Sequence, residues 1–121
     1  MKIIPILPIN FGYKSILKTL YLEGQLPEVK YDIYGNKLTK KNVTLEHLRP
    51  KSQGGKSELH NFALCQDTFN WGRSSKPFKN YFNPEAFEQY CKQFDGVKFP
   101  GFDGKKYVEA ITKTVERLLK R

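Results

Sequence analysis

Apolar residues recur along this chain with two different periods, and the changes of period mark out its elements. Ile16, Leu17, Leu20 and Tyr21 share one face of a short helix, which Gly24 is placed to stop. Before it, Pro5 and Pro8 interrupt an Ile/Leu run and predict an extended arm. Tyr34-Gly35-Asn36 predicts the turn of a small hairpin. From Val43 to Leu48, β-branched and apolar residues suit a strand that ends at Pro50, and Phe62-Ala63-Leu64-Cys65 suits its partner. The stretch from Lys51 to His60 between them predicts a loop bent at Gly54-Gly55. Asp67 is placed to cap a helix over about 68–75, carrying Asn70 and Arg73.

The helical period then returns. Asn83-Pro84-Glu85 starts a helix with Pro at its first position, and Phe87, Tyr90, Cys91 and Phe94 recur at i, i+3, i+4 and i+7. A last helix from about Lys105 aligns Val108, Ile111, Val115, Leu118 and Leu119, with Lys120 and Arg121 at its negative end. The pattern predicts a single α+β domain over residues 1–121. It comprises an N-terminal arm and helix (1–28), a strand–loop–strand–helix core (29–80) and a C-terminal helical extension (81–121).

A chain of 121 residues can bury a modest core without crosslinks. Its two cysteines, Cys65 and Cys91, make neither a disulfide framework nor a zinc quartet and read as small buried hydrophobes. The expected compartment is cytoplasmic, with no membrane segment, since the apolar N-terminus is broken by prolines and carries no cleavage signature. The formal charge is +9, and its surplus is local. Residues 30–80 hold ten Lys and Arg against Asp32, Glu46, Glu58 and Asp67, whereas 81–121 hold eight against six. A basic surplus around one segment suits a polyanionic partner such as DNA.

That segment carries the chemistry. Glu46-His47 is followed by Pro50, Ser52, Gly54-Gly55, Asn61 and, nine residues later, Asn70. Hydrolysis of a phosphodiester needs an activated water, stabilisation of phosphoryl charge and help for the leaving oxygen. A neutral imidazole accepts a proton near pH 7, which makes His47 the candidate general base. Glu46 and Asn70 offer a carboxylate and an amide oxygen, a hard donor set for Mg²⁺ or Mn²⁺. Neighbours on a strand face opposite ways, so Glu46 and His47 need a local distortion to share one pocket. Asn61 can donate and accept backbone hydrogen bonds across the loop and so fix His47. Arg49, Lys51, Arg73 and Lys76 are candidate phosphate contacts, which position nucleic acid without reading its sequence. Trp71 offers either a wedge against a base or core packing, and His60 reads as a surface or hairpin-bracing residue.

Those residues, over about 29–80, resemble the HNH endonuclease family. The resemblance implies a ββα-metal fold, with Glu46 and Asn70 as metal ligands, His47 as base and Asn61 as the structural asparagine. Asn at the third motif position is similar to members that use Mg²⁺. One departure stands out: many members hold a structural zinc with two Cys-x-x-Cys pairs, which would fall at Tyr31/Tyr34 and Gln66/Phe69 here. No structural zinc is expected, and Tyr34 and Phe69 are expected to pack in its place. The function so implied is metal-dependent DNA hydrolysis by a monomer or homodimer. The alternatives are a non-catalytic DNA-binding module on the same scaffold and an RNase or toxin-like nuclease.

Overall fold

The computed structural model describes residues 12–120; the predicted arm before Gly12 lies outside them. Helix α1 (Gly12–Leu22) buries Ile16, Leu17 and Leu20 and leaves Tyr21 partly exposed. It ends because Gly24 takes φ +76°, letting Gln25 N–H reach back to the Leu20 carbonyl and Gly24 N–H to that of Tyr21. This pair of bonds satisfies carbonyls that the end of the helix would otherwise strand.

A knuckle follows, closed by a bridge between Tyr31 and Lys37. Its centre is Asp32, fully buried, whose carboxylate accepts from the N–H groups of Tyr34, Asn36 and Gln66 at 2.9, 2.7 and 2.8 Å. Gln66 ends the second strand, so one side chain ties the knuckle to the sheet. Burying a carboxylate is tolerable when its oxygens are met in this way.

Strands β1 (Val43–His47) and β2 (Phe62–Gln66) pair antiparallel, with His47 opposite Phe62 and Glu46 opposite Ala63. Helix α2 (Asp67–Arg73) leaves β2 directly and crosses back onto β1. Helix α3 (Pro84–Lys92) begins as its sequence predicts: Asn83 accepts from Ala86 N–H at 3.0 Å, with Pro84 in the first turn. Strands β3 (Lys98–Phe99) and β4 (Phe102–Asp103) form a short hairpin, and Asp103 caps α4 (Gly104–Leu119).

A two-stranded sheet leaves polar backbone groups along its edges, and burying them requires partners. Here the C-terminal helices supply tyrosines. Tyr107 donates to the Phe62 carbonyl at 2.7 Å, Tyr90 accepts from Leu64 N–H at 3.0 Å, and the two hydroxyls meet at 2.8 Å. Since the Tyr107 proton is committed to Phe62, Tyr90 donates to Tyr107. Thr114 adds a bond to the His60 carbonyl at 2.8 Å. The core therefore lies between β2 and the C-terminal helices, joined by Leu17, Leu20, Ile33 and Phe78.

Three local expectations change. Asp67 is the first residue of α2 rather than its cap, and binds the N–H of Thr68. The β3–β4 hairpin was not foreseen, because its strands are too short to show alternation. On α4 the buried stripe gains Tyr107 and Thr114, while Leu119 is exposed.

Candidate active site on the hairpin and its helix

The two residues of the Glu46-His47 pair leave β1 in opposite directions. His47 is partly buried, its ring edge-on to Phe62 with centroids 4.8 Å apart and its Nε2 3.2 Å from Ser57 Oγ. Burial, aided by the positive charge of Lys51, holds its imidazole below the ordinary 6.5. Both effects disfavour the cation, so the ring is neutral near pH 7 and able to accept a proton.

Glu46 turns the other way, into the space between β1 and α2, and is 2% exposed. Its Oε2 receives the Tyr34 hydroxyl and lies 3.0 Å from Arg73 Nη1. Its Oε1 is buried with no nitrogen or oxygen donor in reach, the Cys65 thiol being the polar group that β2 places beside the carboxyl. Burial raises the carboxyl above its usual range, while Arg73 and the Tyr34 hydrogen bond pull it down. Thr44, two residues back on the same face, accepts from Asn70 Nδ2 at 3.0 Å, and the Leu45 carbonyl does so at 3.3 Å. Asn70 and Arg73 stand one turn apart on α2, so they meet the face of β1 that carries Thr44 and Glu46.

Arg73 does not fit its expected role as a phosphate contact. The side chain is 1% exposed, and its donors are spent inside: Nε on the Lys76 carbonyl, Nη1 on the His47 carbonyl, and Nη2 on the Leu48 carbonyl at 2.7 Å. Its guanidinium also lies over Phe78, 5.7 Å from the ring centre. It is a strut that joins α2 to the end of β1. The helix geometry contained the clue, since a residue three after Asn70 faces the same strand. Lys51 and Lys76 are exposed, and Arg49 is half-buried.

Asn61 acts as the expected brace. It is 3% exposed; its Oδ1 accepts from Arg49 N–H at 2.8 Å, and its Nδ2 donates to the carbonyls of Arg49 and Lys56 at 3.1 and 3.0 Å. Gly55 must be glycine here, because a Cβ would stand 1.8 Å from the Arg49 carbonyl oxygen. The loop is thus folded tightly onto the residues that follow His47. Its other side is anchored to the end of α2, where Ser52 meets Ser75 at 3.0 Å and Gln53 donates to the Ser75 carbonyl.

Tyr34 and Phe69, the positions expected to fill in for zinc ligands, stack with centroids 4.6 Å apart, and Tyr81 closes on Phe69 edge-on. Trp71 is not in the core but 73% exposed. Tyr34 hydroxyl, Asp32, Thr44 and Ser57 were not foreseen as parts of this region; polar residues of their kind are common in loops and strands, and only long-range pairing gives them these roles.

No protein-family model, no curated protein and no solved structure matches this chain. The site therefore rests on its own chemistry. Among the described residues no cluster of three or more His, Cys, Asp or Glu is placed to hold a metal. A cation here would depend on one carboxylate, one amide and water, the donor set that suits a hydrated Mg²⁺ or Mn²⁺. The Oε1 of Glu46 fits such an ion, because a buried carboxylate oxygen without a nitrogen or oxygen donor is costly. Arg73 works against it by neutralising the same carboxylate, so the fit is that of a weakly held ion to which Glu46 gives a single oxygen.

Proposed function

We propose that this protein is a metal-dependent endonuclease of the HNH type, acting on DNA phosphodiesters. The observation that carries the reading is the buried Oε1 of Glu46, without a nitrogen or oxygen donor, on a hairpin that also presents the partly open His47 ring. Glu46 and Asn70 would hold the ion; because Glu46 and His47 leave β1 on opposite faces, the strand must distort on binding substrate for that ion to stabilise charge on the phosphoryl and leaving oxygens of the bond that His47 serves. His47 takes a proton from the attacking water as the new P–O bond forms and the bond to the 3′ oxygen breaks. The ends are then a 5′-phosphate and a 3′-hydroxyl, the leaving oxygen taking its proton from solvent. Asn61 keeps the chain beyond His47 fixed through the reaction. Arg73, bonded to both the Glu46 side chain and the His47 carbonyl, couples the two faces of β1. Lys51 and Lys76 supply surface charge to hold the strand.

A second reading draws on the Arg73–Glu46 ion pair. A carboxylate neutralised in this way suits a non-catalytic DNA-binding module equally well. Supercoiled plasmid incubated with Mg²⁺, Mn²⁺ or EDTA separates the two. The nuclease reading expects metal-dependent nicking that His47→Ala abolishes. Retardation of DNA on a gel without nicking under any metal supports the module, and RNA substrates in parallel test for ribonuclease action. Trp71 is the only tryptophan, so its fluorescence reports binding directly. Quenching on addition of DNA is expected if its exposed ring stacks on a base.

A further inference from the structure

A cavity of about 310 Å³ opens between the β1–β2 loop and the end of α4, and His47 does not line it. Its walls bring Arg49, Lys56 and Arg117 together, with Glu58 as their one carboxylate and His60 beside it. Arg49 and Lys56 come from the β1–β2 loop and Arg117 from α4, and one fact suggests that they serve a ligand. Arg49 Nε is buried and has no hydrogen-bond partner, although the backbone of Arg49 is held on both sides by Asn61. The Glu58 carboxylate, exposed and 3.6 Å from His60 Nδ1, is the group that a bound anion would have to avoid. At about 30 Å³ per water, the space admits a phosphate with several waters.

We infer that this cavity is a phosphate-binding subsite, built from Arg49, Lys56 and Arg117, which takes a phosphate of the nucleic-acid strand flanking the one that reacts. A phosphate oxygen would satisfy Arg49 Nε once the guanidinium turns from the loop to uncover it, and the two exposed cations would close over it with charge-assisted bonds. Asn61 then has two outputs: it fixes the residues after His47 and it fixes the origin of the Arg49 side chain. Placement of a flanking phosphate would set where along a strand the reacting bond lies. This assignment rests on the nuclease reading for its role, but not for its binding.

The test is a titration of the full chain with inorganic phosphate, following arginine Nε–Hε resonances by NMR. A saturable shift of the Arg49 Nε–Hε signal is expected, weakened about tenfold by Lys56→Gln or Arg117→Gln, both at exposed positions. Oligonucleotides with 5′-phosphate and 5′-hydroxyl ends distinguish the sources. A preference for the phosphorylated end that is lost in Arg117→Gln assigns a terminal phosphate; equal binding, equally weakened, assigns an internal diester. No saturable shift, an equal response to chloride at matched ionic strength, or unchanged affinity in both variants would overturn the subsite. Phosphate binding without plasmid nicking would keep the subsite and remove the nuclease; His47-dependent nicking without a phosphate response would do the reverse.

Discussion

Glu46 and His47 are neighbours in the chain, yet one side chain is locked in place and the other is left partly open. Glu46 shares a buried network with Tyr34 and Arg73 that joins the knuckle, β1 and α2. His47 has one ring contact with Phe62 and one hydroxyl neighbour, and its surroundings act mainly on its protonation. Strand alternation imposes this division, since consecutive residues must face different sides. The lesson is that a paired motif can divide by face, one side chain locked in a buried network and the other left partly open. Arg73 reaches both residues, through the Glu46 carboxylate and the His47 carbonyl.

The largest effect should come from breaking the locked side. Arg73→Ala leaves the Glu46 carboxylate buried without its cation and should cost about 3–5 kcal/mol in denaturant unfolding. The paired change Glu46→Gln with Arg73→Met should recover part of that loss, because it removes both charges together but still strands the carbonyls of His47, Leu48 and Lys76. A loss below about 1 kcal/mol in Arg73→Ala would place the pair among weak surface bridges and end the contrast.

Next in size is the brace between the two sides. Asn61→Ala strands the Arg49 N–H and two loop carbonyls, and should cost about 2–3 kcal/mol. Nicking should fall further than stability accounts for, since the position of His47 depends on the residues that Asn61 clamps. Equal activity per folded molecule would show that the clamp serves the fold alone.

The smallest effect belongs to the open side. An NMR titration of the metal-free protein should place the His47 imidazole below 6.5, because burial and Lys51 both disfavour its cation. A folded value below the unfolded one means that this residue's contribution to stability is present above about pH 6.5 and is lost as pH falls through the folded value. Lys51→Gln should move the titration partway back upward. A His47 value above 6.5 would reverse the sign and remove the neutral base at neutral pH.

Much of this architecture was legible because local signals sufficed. Asn83-Pro84 announced α3, Gly24 the end of α1, and the β-branched run at Val43 the first strand. Asn61 was readable as a brace because an amide at a loop exit has few other uses. Arg73 was not, since charge in sequence suggests solvent, and only the partnership with Glu46 and Tyr34 draws it inside. Trp71 misled in the opposite direction: its bulk suggested core packing, but the α2 face that meets β1 is already taken by Asn70 and Arg73. The β3–β4 hairpin escaped because two-residue strands show no period, although Pro100-Gly101 marked its turn.

The central claim is that the open side of β1 carries a base, and its most direct test is plasmid nicking by His47→Ala in Mg²⁺ against the unaltered protein. The account predicts that nicking falls by about 10²–10⁴-fold while the variant remains folded. Nicking that survives at the original rate, with the same metal dependence, would contradict it.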